Sequence, residues 1–200
     1  CCVSVPDLTR VNLTKAVVLV VETTTHAADV LAQILKGFGV AETHRCTSVK
    51  EAEKVLSTRS VDLIIVDPDV KDGDGYEFLR KLRASHQEPN CYAPIILISG
   101  HARISNVKRA RDTGANFFIG KPIAPNTLLE RILWIGRDKR PFVEAGVYIG
   151  PDRRFKFEGP PPNSEGRRAS DLTQPLGDAD EPNMSQNEID NLLKPQRVLV

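Results

Sequence analysis

The sequence predicts an α/β fold, a doubly wound parallel sheet followed by an extended C-terminal tail. Short apolar runs rich in β-branched residues recur at 16–21, 61–66 and 93–98. They are too short for ordinary helices and read as strands buried on both faces. Amphipathic stretches of helical period lie between them, so strand and helix alternate across residues 13–137. That alternation implies parallel strands joined by right-handed crossovers, with helices on both sides.

Taken in order, residues 1–14 have no period and read as a leader arm. The first strand, Ala16 to Val21, ends on Glu22 and three threonines. A helix from His26 to Lys36 turns Ala27, Val30, Leu31, Ile34 and Leu35 inward and stops at Gly37 and Gly39. A weak strand near Val40 to Cys46 precedes a helix from Ser48 to Leu56, with Ser48 as N-cap and Glu51 at the capping-box position. The central strand, Leu63 to Val66, ends abruptly on Asp67 in an acidic loop punctuated by Pro68, Gly73 and Gly75. A helix over Tyr76 to Leu82 follows, then the strand ending at Ser99. Ile104 to Thr113 makes a helix with a basic face of Lys108, Arg109 and Arg111. A strand over Asn116 to Ile119 and a helix over Asn126 to Trp134, with Leu128, Leu129, Ile132 and Leu133 inward, complete the alternation.

Charge and cysteines exclude several classes. Lysines and arginines number 27 against 26 acids, a net charge of +1, so no global field recruits DNA or an anionic membrane. Cys1, Cys2, Cys46 and Cys91 show no metal-binding or disulfide spacing, which suits reduced thiols in the cytoplasm. No apolar run approaches the roughly 20 residues of a membrane span.

In such a sheet the C-terminal strand ends converge, bringing together Glu22, Asp67, Ser99 and Lys121. Two acids, a hydroxyl and an ammonium suit a phosphoryl group: one carboxylate as acceptor, another toward Mg²⁺, the rest on phosphoryl oxygens. The alternative is that Asp67 merely caps a turn.

On these residues, the stretch from about Leu13 to Arg137 resembles the receiver domain of response regulators, the CheY-like group. The resemblance implies the flavodoxin-like strand order 2-1-3-4-5. It also implies Asp67 as phosphoacceptor, Ser99, Phe118 and Lys121 as the switch around it, and Glu22, Asp67 and the Asp69 carbonyl as Mg²⁺ ligands. Lys121-Pro122 matches a pair that is usually cis in that family. Two positions depart from the pattern. Thr23 stands where the family's main metal-binding Asp belongs, so Mg²⁺ binding is expected to be weak. Lys71 replaces the family's usual Pro.

The tail divides into an arginine-rich extension (138–168), an acidic linker expected to be disordered (169–182) and a short amphipathic helix (183–194). Arginines beside aromatics suit a planar anionic ligand. The alternative is an extension packed on the last helix through Phe142 and Tyr148. The run R-P-F-V to Y-I-G-P-D-R-R resembles the extension of CheY-like cyclic di-GMP effectors, the Cle group. By that resemblance Arg137, Arg140, Tyr148, Asp152, Arg153 and Arg154 bind the nucleotide. At the end, Ser185-x-x-Glu188 is a capping box with Met184 at the staple position. Ile189, Leu192 and Leu193 form one apolar stripe for docking a partner. This segment is similar to the N-terminal peptide of the flagellar switch protein FliM. Its expected seat is the 103–137 face, within the molecule or between copies, with the basic face of the preceding helix opposite its acids.

Three functions follow, none of them enzymatic. One is an adaptor in flagellar motility control, switched by cyclic di-GMP. Another is a conventional regulator that a histidine kinase phosphorylates on Asp67. The third is a constitutive scaffold acting through its terminal helix on a motor component or on itself.

Overall fold

The structure, a computed structural model, describes residues 12–138, 140–146, 148–153 and 183–193. Its strands are β1 (Val17–Val21), β2 (Glu42–Cys46), β3 (Leu63–Val66), β4 (Ile95–Ser99) and β5 (Phe117–Gly120). They form one parallel sheet in the order β2-β1-β3-β4-β5. Burial explains that order. β3 and β4 are buried at every residue, whereas β2 and β5 carry polar or half-buried positions and take the edges.

Side chains alternate across the sheet. Val18, Val20, Leu63, Ile65, Ile96 and Ile98 face α1 (Thr25–Gly37) and α5 (Pro125–Ile135). Leu19, Val21, Ile64, Val66, Ile95 and Leu97 face α2 (Val49–Leu56), α3 (Gly75–Ala84) and α4 (Ile104–Asp112). In α1 the buried residues are Ala28, Leu31 and Leu35, while Val30 turns outward at 41% exposure, against the expected inward set. Leu129 and Leu133 are likewise only half-buried, because Leu128 and Ile132 occupy the line of contact in α5. Ser48 caps α2 through the Glu51 amide. The Glu51 carboxylate reaches back to the Thr47 amide rather than to that of Ser48.

The extension is not a loose arm. Phe142–Ala145 (β6) and Tyr148–Pro151 (β7) pair as an antiparallel hairpin, turning at Gly146 with φ of +60°. It sits at the N-terminal ends of β4 and β5, the end opposite Asp67, and not on the last helix of the alternation. The reason lies in Arg83, whose guanidinium is buried at the end of α3 and donates to the carbonyls of Cys91, Ala93 and Gly114. Burial lowers its pKa to about 10, still well above neutral. Phe142 covers this cation, 5.0 Å from ring centroid to guanidinium carbon, and meets Tyr92 edge-on. Tyr148 is buried and donates to the Pro151 carbonyl at 2.7 Å.

Backbone meets backbone where the hairpin lands. Gly114, at φ of +76°, lies so close to β7 that an added Cβ would strike the Ile149 carbonyl. The terminal helix α6 (Gln186–Leu193) packs on β5 and α4, with Ile189 fully buried. Its acid Asp190 pairs with Arg131 of α5 rather than with the expected basic face of α4, where Arg109 is paired with Asp74 at the head of α3. Among the described residues, no helix is long and apolar enough to cross a membrane.

An added Cβ on Gly150 would lie 2.6 Å from the Gly114 α-carbon. Gly150→Ala is therefore expected to cost about 1–3 kcal/mol by overpacking. A lowered urea midpoint is the readout, against Gly37→Ala as control, since a Cβ there meets nothing within 4 Å.

Candidate functional site

The strand ends assemble the expected group. Glu22 follows β1 and Asp67 follows β3, exposed by 3% and 6% respectively. Lys121, just past β5, bridges them: its Nζ donates to Glu22 Oε2 at 2.7 Å and to Asp67 Oδ2 at 2.6 Å. Burial alone would lower the Lys121 pKa, but the bonds and charges of both carboxylates outweigh it and leave it raised above 10.5. The Lys121–Pro122 peptide is cis.

The acidic loop after β3 splits into two roles. Asp67 Oδ1 accepts from the Asp69 amide at 2.9 Å, which ties the loop back onto its own strand. Asp72 accepts from the amides of Val49 and Lys50 at the head of α2, and those bonds lower its pKa. Asp74 caps α3 through the Tyr76 amide. Asp67 and Asp69 thus serve the pocket, while Asp72 and Asp74 hold helix N-termini, where negative charge is favoured.

Ser99, fully buried, donates to Asp69 Oδ2 at 3.3 Å and accepts from the His101 amide at 3.0 Å. His101 Nδ1 lies 3.1 Å from the same Asp69 oxygen. Sequence reading missed this histidine; its position two residues past a central strand end was the available signal. Phe118 is fully buried, packed with the cluster on the α4 side of the sheet.

Mg²⁺, the ion that the family resemblance implies, finds a poor set of donors. Lys121 already holds both carboxylates, and the Asp69 carbonyl accepts from Thr23 Oγ1 at 2.7 Å. Thr23 thus satisfies with a hydroxyl the carbonyl that a cation would take. Among the described residues no group of three His, Cys, Asp or Glu side chains could hold a metal. This arrangement does not fit a tightly bound divalent ion.

The arginine-rich extension is drawn together only in part. Arg140, Tyr148 and Arg153 line one small cleft with Arg111. Arg153 stacks on the Tyr148 ring at 3.6 Å and pairs with Asp112. Arg140 stacks on Trp134 and pairs with Asp138. Burial raises the Tyr148 pKa against the opposing charges of Arg153, Arg83 and Arg140. The Asp152 amide donates to Pro141, and the Asp152 carbonyl accepts from Arg140 at 3.4 Å. Arg137 is exposed and does not line this cleft. Arg154 lies outside the described residues, as do the side chains of Leu192 and Leu193.

Comparison with known proteins agrees with the geometry around Asp67. The family model of the response regulator receiver domain matches residues 18–133. The chain belongs to this family. The receiver is 32% identical over 102 residues to the swarming motility regulation protein RssB of Serratia marcescens, covering 51% of this chain and 45% of that protein. It is 37% identical over 76 residues to the KDP operon transcriptional regulatory protein KdpE of Escherichia coli, covering 38% and 32%. The chain therefore spans less than half the length of these relatives. Among solved structures, a CheY-like receiver from Methanospirillum hungatei superposes with a TM-score of 0.53 at 26% identity, over 58% of this chain and 90% of that one. The chemotaxis regulator CheY4 of Vibrio cholerae gives 0.55 at 24%, over 61% and 99%, a likeness of fold.

Two outcomes follow from the pocket. Thr23→Asp should tighten Mg²⁺ binding over wild type, measured by calorimetry. Lys121→Met leaves two buried carboxylates unpaired and should cost roughly 3 kcal/mol, the lower end for breaking a buried pair because the ammonium is partly exposed. With a raised folded pKa, that contribution is fully present below 10.5 and fades only as pH rises through the higher value. The stability gap should hold from neutral pH upward and close only in strong alkali.

Proposed function

We propose that this chain is a signalling adaptor of two-component type: a histidine kinase phosphorylates it on Asp67, and its output is a protein contact. The observation that carries this is the Lys121 bridge. An acceptor carboxylate at the end of a central strand lies 2.6 Å from an ammonium, with a second acid and the Ser99 hydroxyl at neighbouring strand ends. A phosphoryl group on Asp67 would take over Lys121 and pull on the end of β5. Glu22, Asp67 and the Asp69 carbonyl are the Mg²⁺ donors in this reading, a set weakened by Thr23. Similarity to a swarming regulator supports a motility role, as does the likeness of α6 to the FliM peptide, which makes a flagellar component the expected partner.

A second reading has its own support. The convergence of Arg111, Arg140 and Arg153 on Tyr148 favours an anionic planar ligand, and the resemblance to the Cle group names cyclic di-GMP. Such a ligand must displace Asp112 and Asp138 from their arginines. Charge-assisted bonds are worth about 1.5–3 kcal/mol each. Replacing Arg153 and Arg154 by Ala should thus weaken any cyclic di-GMP binding at least about a hundredfold.

Incubation with acetyl phosphate and Mg²⁺, followed by mass spectrometry, separates the two. Slow labelling that Asp67→Asn abolishes is expected. No label on Asp67 under any condition, alongside calorimetric binding of cyclic di-GMP, would transfer the input to the hairpin cleft.

A further inference from the structure

α6 grips the domain through polar anchors as well as through Ile189, which joins the core on the α4 side of the sheet. β5 is the edge strand, so among the described residues one side of its backbone has no neighbouring strand. Gln186 takes that side. Its Nε2 donates to the Phe118 carbonyl at 3.1 Å, and its Oε1 accepts from the Gly120 amide at 3.0 Å. The side-chain amide thus occupies edge positions that a sixth strand would use. Upstream, the Met184 amide donates to the Ala102 carbonyl at 2.8 Å and Asn183 Nδ2 to the Gly100 carbonyl at 3.2 Å. Ile189 is fully buried over Gly120, and Asp190 pairs with Arg131 of α5. The helix supplies its own cap: the Ser185 hydroxyl accepts from the Glu188 amide, and the Glu188 carboxylate accepts from the Ser185 amide.

An eight-residue helix is too short to hold alone in water. Its order here comes from this face, which reads Gln, Ile and Asp at positions i, i+3 and i+4. Three of its anchors adjoin the acidic pocket. Gly120 immediately precedes Lys121, and Gly100 and Ala102 flank His101, whose ring bonds Asp69.

We propose that α6 is a built-in block: it covers the β5–α4–α5 face and must leave before a partner can use that face. An outside protein then gains access by presenting a helix with the same Gln, Ile and Asp spacing, in competition with α6. The proposal rests on reading the chain as an adaptor that signals by protein contact, and it identifies what blocks that contact. Residues 154–182 tether the occupant, and tethering typically gives an effective concentration near millimolar. A weak intrinsic contact is then enough to keep the face covered. Because β5 and the loop after β4 serve both sites, a change at Asp67 and the seating of α6 bias one another reciprocally.

The test uses the full chain and a fluorescein-labelled synthetic peptide of residues 183–195, followed by anisotropy. Wild type should bind the peptide poorly. Gln186→Ala and Asp190→Lys in the chain, which loosen its own helix, should each bind the same peptide at least tenfold more tightly. Adding Arg131→Glu to Asp190→Lys should restore the block by re-forming the ion pair with signs exchanged, and should also weaken binding of the unmodified peptide. Equal peptide affinity in wild type and both loosened variants, or no binding to any of them, overturns the proposal. Labelling of Asp67 is scored in parallel. Labelling without tail-dependent binding sinks this inference alone, whereas tail-dependent binding without labelling sinks the phosphorylation reading alone.

Discussion

Two carboxylates that both stay ionised side by side in a protein interior need a positive charge between them. Glu22 and Asp67 are nearly excluded from water, and the parallel sheet leaves them no choice of position, since β1 and β3 are neighbours and both end at that edge. Lys121 is the charge that resolves this. Its stem starts immediately after β5, two strands from β3 and three from β1, so the bridge links the end of β5 to the ends of β1 and β3 across β4. Whatever alters charge at Asp67 must therefore act on β5, and α6 and the loop after β4 are held by the same segment.

The sheet was legible because its central strands are buried on both faces, which writes continuous apolar runs into the sequence. The acids at their ends were legible because a strand that stops on Asp, Pro and Gly stops abruptly. Asp72 and Asp74 looked equivalent to Asp67 and Asp69 in composition; helix geometry, not residue type, separates them. Thr23 was visible as a missing ligand, but its bond to the Asp69 carbonyl depends on how two loops from different strands meet.

The hairpin was hidden for a different reason. β6 and β7 have four residues each and no long alternation, and the surface that receives them has no sequence signature. Gly114 reads as a helix stop, which it is, yet its lack of a side chain also admits β7. Arg83 lies one residue past the helix that the sequence predicts, and its burial depends on three carbonyls from other parts of the chain. Gln186 was passed over inside a capping box, because its partner is the backbone of an edge strand and backbone carries no residue code.

The footing of the hairpin bears on how such tails travel between proteins. The match to the receiver family ends at residue 133, yet packing continues to Arg153. Phe142 needs the guanidinium of Arg83 beneath it, β7 needs Gly114, and Arg153 needs Asp112. A recombination event that appended residues 138–153 to another receiver would deliver the arginines without the socket that aims them. The seating of the extension thus depends on its host domain, and a receiver lacking those three residues is a poor recipient however well its own last helix matches.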